Sequence, residues 1–351
     1  MRLGSRAALI AVAAAATVLP AAAPASAVSV SAPLVTGLAG PLGLAMGSTG
    51  TVYVSQAFTG TLTAVGKDGE QTAAMEQGAE ITGVDAHGIG TLVYTTTTGG
   101  EEGVTAAALK RVLPDGQTRV LADVLEYEQK NNPDATASYG FHGLAPGCSA
   151  QLPPQLADPY AGVVDSHAYS VATIPGGWVV GDAAGNDLLL VSPTGRVTTL
   201  AVLPPQPVSV TAGLAAGLGL PACVVGATYN AEPVPTDVEW GPDGMLYVST
   251  LSGRPASGSV YRVDPATGAF TRIATGLAGA TGVAVAPDGT VYVAEMFGGA
   301  ISRIVAGAPQ PVVRVSFPAA VEWSDGKLYA TVDVFRSFGV PGDGKVITVT
   351  P

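Results

Sequence analysis

The chain has 351 residues, with 16 Lys and Arg against 27 Asp and Glu and a formal charge of −11. An acidic chain with scattered basic residues argues against nucleic acid or an anionic membrane as partner. Its 46 Gly and 27 Pro, set among few charges, suit many short strands joined by tight turns.

Arg2 and Arg6 form a basic start, Ala7–Leu19 an apolar run, and Ala25-Ser26-Ala27 a small-residue cleavage site. This is the pattern of a signal peptide cleaved after Ala27. The apolar run is too short for a membrane span, and no later segment reaches eighteen apolar residues. The mature chain, from Val28, is expected to be secreted and soluble.

From there the sequence repeats. The clearest unit runs from Gly276 to Val305, where Val283 and Val285, then Val291 and Val293, alternate with other residues at the period of a strand. Between them Asp288-Gly289 predicts a tight two-residue hairpin turn. Further strands follow at Ala300–Val305 and Pro311–Val315, which makes a four-stranded meander. Equivalent second-strand positions are Tyr53, Tyr94, Val179, Tyr247, Tyr292 and Tyr329, spaced by 41, 85, 68, 45 and 37 residues. The short intervals match the period of about 40–50 residues of propeller blades. The expected fold is all-β, a six-bladed β-propeller. The two long intervals hold insertions at about 125–164 and 204–233, neither with a hairpin pattern. The last blade lacks a fourth strand, which Val28–Val35 is expected to supply and so close the ring.

Cys148 and Cys223 are an even pair in an oxidising compartment, which favours one disulfide over two buried thiols. Both lie in insertions that should emerge on one face, so they are expected to pair. Three histidines, His87, His142 and His167, are too few and scattered for a metal cluster, and no hydrolase, zinc, P-loop or twelve-residue calcium motif occurs. No cofactor is expected, a channel-bound cation such as calcium being the one exception that the carboxylates would admit. A calcium-dependent lactonase or esterase of the gluconolactonase or paraoxonase type is the enzymatic alternative. Its amide ligands are scarce here, since Asn131, Asn132 and Asn230 fall in insertions and Asn186 beyond a strand end.

With repeats and insertion in view, the chain resembles the ScyD/ScyE family of exported propeller proteins, a relative of NHL-type propellers. The likeness rests on Tyr127-Glu128-Gln129-Lys130-Asn131-Asn132-Pro133-Asp134, on Tyr169-Ser170-Val171-Ala172, and on Gly181-Asp182-Ala183-Ala184-Gly185-Asn186-Asp187-Leu188-Leu189. It departs at Gln56 and Thr97, where acidic strand-end residues are replaced, and the resemblance implies no established reaction.

The function expected is a binding or scaffolding module without chemistry of its own, its partner a small molecule, a glycan or an envelope protein. Turns between first and second strands are tight and chemically bare, whereas the opposite face receives both insertions and the longer loops. At the channel mouth there, Gln56, Asp182, Glu295 and Asp333 should end second strands, with His167 and Asp237 at the starts of first strands. Carboxylates converging near one His would make a site for a cation or polyol. The competing reading is that Asp182 and Glu295 cap neighbouring strand ends.

Overall fold

A computed structural model describes residues 28–86, 91–100, 103–253, 257–337 and 339–351. The expected leader, His87, the acidic pair Glu101 and Glu102, and Arg254 lie outside the described residues. Successive four-stranded antiparallel meanders dominate the fold. The first contains Gly43–Met46, Val52–Gln56, Thr61–Gly66 and Gly69–Met75. The second contains Glu80–Asp85, Leu92–Gly100, Gly103–Val112 and Thr118–Asp123. The third runs from Ala168–Ile174 to Val197–Val202, the fourth from Pro235–Trp240 to Phe270–Leu277, and the fifth from Ala280–Val285 to Ala308–Arg314. The last sheet joins Val321–Ser324, Lys327–Val332 and Gly344–Thr350 to two N-terminal strands, Ser29–Val30 and Val35–Leu38. Both N-terminal strands pair antiparallel with Gly344–Thr350, Ser29 opposite Thr350 and Val35 opposite Val346.

The turns explain why these runs are strands. At Ala286–Thr290 only Gly289 takes positive φ, at 85°, while its N–H bonds the Ala286 carbonyl at 2.8 Å and Ala286 N–H bonds that of Thr290. This is a three-residue loop, a type I turn closed by a left-handed Gly, and not the two-residue turn that Asp-Gly suggested. Pro287 fixes the first central φ near the value a type I turn needs. Asp288 instead accepts the Thr290 N–H at 2.9 Å. The two-residue form does occur at Asp325-Gly326, both with positive φ, between paired Ser324 and Lys327.

Neighbouring sheets are joined by apolar clusters, each drawing buried side chains from two consecutive sheets. One further cluster unites Val35, Leu38, Ala320 and Val346 with Leu44, Val52 and Val54, so the last sheet packs against the first. Near the axis the inner strands also touch through polar groups. Ser55 Oγ donates to the Thr82 carbonyl at 2.6 Å, Thr82 Oγ1 to that of Ala168 at 3.1 Å, Thr236 Oγ1 to that of Ala280 and Thr281 Oγ1 to that of Ala319, both at 2.9 Å. Each bond leaves one sheet for the next.

The two insertions form a structure of their own. Val124–Asn131 is a helix capped by Asp123, whose carboxylate accepts the Glu126 N–H at 2.8 Å. Tyr160–Ala161 and Ser138–His142 from the first insertion pair with Thr228–Ala231 and Gln206–Ser209 from the second, in one four-stranded sheet. The expected disulfide, Cys148–Cys223, ties them, with Cα atoms 5.6 Å apart. Phe141, Leu152, Val210 and Val224 form a small core around it. Among the described residues, no helix is long and apolar enough to cross a membrane.

A Cβ on Gly282 would stand 2.6 Å from the Ala319 carbonyl oxygen, whereas one on Gly213 meets nothing within 4 Å. Gly282→Ala should therefore cost about 1–3 kcal/mol by forcing inner strands apart. Gly213→Ala, in the short helix Ala212–Gly217, should gain about 0.5–1 kcal/mol. Urea unfolding followed by tryptophan fluorescence checks both signs.

Candidate functional site

Inner strands end alternately at two mouths. On the face carrying second-to-third turns and inter-sheet connections, a cleft of about 400 Å³ is lined by Phe58, Thr59, Glu80, Thr97 and His167 among others. His167 immediately precedes the first strand of the third sheet, and Glu80 opens that of the second. Their side chains meet, Nε2 to Oε2, at 3.0 Å. The Tyr169 ring holds the imidazole edge-on, centroids 5.3 Å apart. Phe58 is 44% exposed and packs on Phe335, ring centroids 5.8 Å apart. Thr97 Oγ1 is buried without a hydrogen-bond partner.

Tyr169 lies deeper, at a waist of about 20 Å³ lined also by Gly43, Thr82, Gly83, Ser170 and Asp237. Loss of water raises its phenol above the usual range, and the charges of Glu80 above and Asp237 below add to this. Beyond the waist is a cavity of about 260 Å³, lined by Asp85, Asp237, Glu239, Glu322, Trp240 and Trp323 among others. It opens toward the tight first-to-second turns. These carboxylates line the cavity and are only partly exposed. Desolvation therefore dominates, and pushes Asp237 up to about 7 against hydrogen bonds from Val283 and Val238 N–H, with Asp85 adding to the rise. Glu239 and Glu322 are held well above the usual carboxylate range by desolvation and by their mutual repulsion with Asp237 and Asp85.

The expected convergence of strand-end carboxylates on His167 is therefore only partly built. Gln56, Asp182 and Glu295 do end second strands, but as acceptors for the neighbouring connection. Gln56 Oε1 takes the Ala39 N–H at 2.8 Å, Asp182 Oδ1 the His167 N–H at 2.7 Å, and Glu295 Oε2 the Ala278 N–H at 2.8 Å. Each also bonds a hydroxyl: Thr63, Ser166 and Ser302 respectively. Asp333 pairs with Lys345 at 2.9 Å. Asp237 sits below the waist, its oxygens on Val238 and Val283 N–H, and does not share the mouth with His167. Glu80 and Phe58 are the residues that sequence reasoning missed. Phe58 had a signal, since it stands two residues beyond Gln56 as Phe297 stands beyond Glu295. Among the described residues, no three His, Cys, Asp or Glu side chains stand in metal-holding geometry.

No family model matches the chain, and no curated protein matches its sequence. Solved structures do share the fold. Virginiamycin B lyase from Staphylococcus aureus is 13% identical at a TM-score of 0.52, covering 92% of this chain and 99% of its own. The PQQ-bound aldose sugar dehydrogenase from Streptomyces coelicolor is 15% identical at 0.57, with coverage of 93% and 99%. A gluconolactonase from Xanthomonas campestris is 12% identical at 0.54, with coverage of 91% and 88%. At these identities the likeness carries the fold alone, a β-propeller of all-β class.

The lower cavity makes stability depend on pH. Asp237, Glu239 and Glu322 are more easily protonated in the folded chain than in the unfolded one. Their contribution is fully present below about pH 4 and is lost as pH rises through about 7. Unfolding free energy should fall by about 1–3 kcal/mol between pH 5 and 8. The double substitution Glu239→Gln and Glu322→Gln should flatten that slope, as measured by urea titrations across pH.

Proposed function

We propose that the chain is a secreted six-bladed β-propeller binding module whose ligand site is the cleft at the insertion-bearing mouth. Six blades are the reading that the five meanders together with the last sheet support. Closure by the N-terminal strands is supported by their pairing with Gly344–Thr350 and by the cluster joining last sheet to first. Export is supported by the leader pattern of residues 1–27 and agrees with the disulfide. The motif resemblance to the ScyD/ScyE family belongs to the same reading.

The observation that carries the function is the side-chain set at the mouth. Phe58 offers an exposed ring face, His167 and Glu80 offer a paired donor and acceptor, and Thr97 offers a hydroxyl without a partner. A flat apolar face beside convergent polar groups fits a small hydroxylated ring, such as a sugar or polyol. Gln56 and Asp182 contribute by fixing the connections beside Phe58 and at His167, while Glu295 fixes the corresponding connection at Ala278 and Asp333 pairs with Lys345.

The test is calorimetry of residues 28–351 with a panel of neutral monosaccharides, cyclic polyols, a δ-lactone and an aryl ester. At least one sugar or polyol should bind, and Glu80→Gln and Phe58→Ala should each weaken it about 5–10-fold. Asp288→Asn, at a tight turn on the other face, should leave it unchanged. Binding that survives both cleft substitutions but is lost with Asp288→Asn contradicts the reading. Turnover of the lactone or ester would replace it with the hydrolase alternative.

A further inference from the structure

Three neighbouring sheets carry one repeated device at the insertion-bearing mouth. Two residues beyond the polar residue that ends the second strand stands a phenylalanine: Gln56-Ala57-Phe58 in the first sheet, Glu295-Met296-Phe297 in the fifth and Asp333-Val334-Phe335 in the last. The equivalent triplets of the second, third and fourth sheets carry no ring: Thr97-Thr98-Gly99, Asp182-Ala183-Ala184 and Thr250-Leu251-Ser252. The last sheet packs against the first on one side and the fifth on the other, so the three phenylalanines occupy one continuous side of the mouth.

The mounting of the rings keeps them out in solvent. Ala57 N–H bonds the Gly40 carbonyl at 2.9 Å and Met296 N–H that of Gly279 at 2.8 Å, which sets each following ring down on a glycine of the incoming connection. A Cβ on Gly40 would stand 2.6 Å from Phe58 Cγ, and one on Gly279 2.5 Å from Phe297 Cδ2. Backbone therefore supports each ring from below, while Phe58 remains 44% and Phe297 50% exposed. In the last sheet Phe317 takes the place of that glycine, with φ of 38°, and its carbonyl accepts the Val334 N–H at 3.4 Å. Its ring meets Phe335 edge-on at 6.0 Å between centroids, and Phe335 in turn lies 5.8 Å from Phe58. Met296, Ala319 and Val334 form a buried base against which Phe317 and Phe335 pack. Polar groups stand alongside: Lys345 pairs with Asp333 at 2.9 Å, both about a third exposed, and Arg314 Nη1 bonds the Gly298 carbonyl at 3.0 Å.

We infer that Phe58, Phe335 and Phe297 form a stacking track for a saccharide chain, one ring of which occupies the cleft beside Glu80 and His167. The inference rests on the cleft reading and extends it from a free sugar to an oligosaccharide. Large apolar side chains are usually buried, and several held out in one row mark a binding surface. A pyranose presents a C–H face to an aromatic ring and hydroxyls to the side, which suits flat rings with charged groups beside them. A hydrocarbon chain would gain nothing from the Asp333–Lys345 pair and would need an enclosing groove. Each sugar added beyond the cleft meets one more ring, so affinity grows with chain length.

Residues 28–351 are titrated by calorimetry with β-1,4-linked glucose, β-1,4-linked N-acetylglucosamine and α-1,4-linked glucose, each from monomer to tetramer. In at least one series the tetramer should bind about 10-fold or more tighter than the monomer. Phe297→Leu keeps an apolar side chain but removes the flat face, and should bring that ratio to about 3-fold or less. Phe335→Leu should do the same, and Asp288→Asn should leave the ratio unchanged. Equal affinity for monomer and tetramer overturns the inference and leaves the cleft reading standing. A chain-length gain that survives both ring substitutions also overturns it. So does binding of anilinonaphthalene sulfonate that is lost with Phe297→Leu when no series shows a gain, which would assign the row to an apolar partner. Failure of every monomer and oligomer to bind removes the cleft reading and the track together.

Discussion

Contact between the inner strands of neighbouring sheets is the constraint on which the rest of the fold depends. Gly43, Gly83 and Gly282 leave no room for a side chain, because the next sheet's backbone stands 2.0 to 2.6 Å from where a Cβ would be. Hydroxyls of Ser55, Thr82, Thr236 and Thr281 occupy the remaining gaps and satisfy carbonyls of the adjoining sheet. Small residues set the spacing, and buried hydrogen bonds set the register. Both terms are local, so each sheet needs only its two neighbours.

This closeness determines the chemistry along the axis. The centre narrows to a waist at Tyr169, and the polar groups that face inward separate into two compartments. Below, four carboxylates share a cavity, and three of them, Asp237, Glu239 and Glu322, hold protons more firmly than free acids do. Above, the cleft is shallower, aromatic and mixed in charge, and the insertion sheet stands on the same face. A wall of packed strands with variable loops at one end is where binding residues usually collect.

The repeats were legible because period-two alternation and Pro-Asp-Gly turns are local signals, and the turn type failed where a proline ahead of Asp-Gly selected a type I turn, at Pro287 and likewise at Pro242 and Pro114. The insertion sheet was not legible. Its strands have two to five residues and pair across the two insertions, Gly140 opposite Asn230, with no alternation to announce them. Its disulfide could be read, because only two cysteines were available. Spacing placed Gln56, Asp182 and Glu295 at strand ends, but it could not show that backbone N–H groups of the next connection would take their oxygens. His167 was found and Glu80 was not, because aligning the repeats on second strands obscured the equivalence of first-strand starts in adjacent sheets.

The chain has three histidines and three tryptophans, and one histidine and two tryptophans line the two mouths. His167 marks the insertion-bearing cleft, while Trp240 and Trp323 mark the lower cavity. The most direct measurement is a heteronuclear NMR titration of ¹⁵N-labelled residues 28–351 with a neutral monosaccharide or polyol, following imidazole and indole signals together. The account predicts that the His167 resonances move and saturate while those of Trp240 and Trp323 stay in place. Movement of the two indoles with His167 unmoved would contradict it.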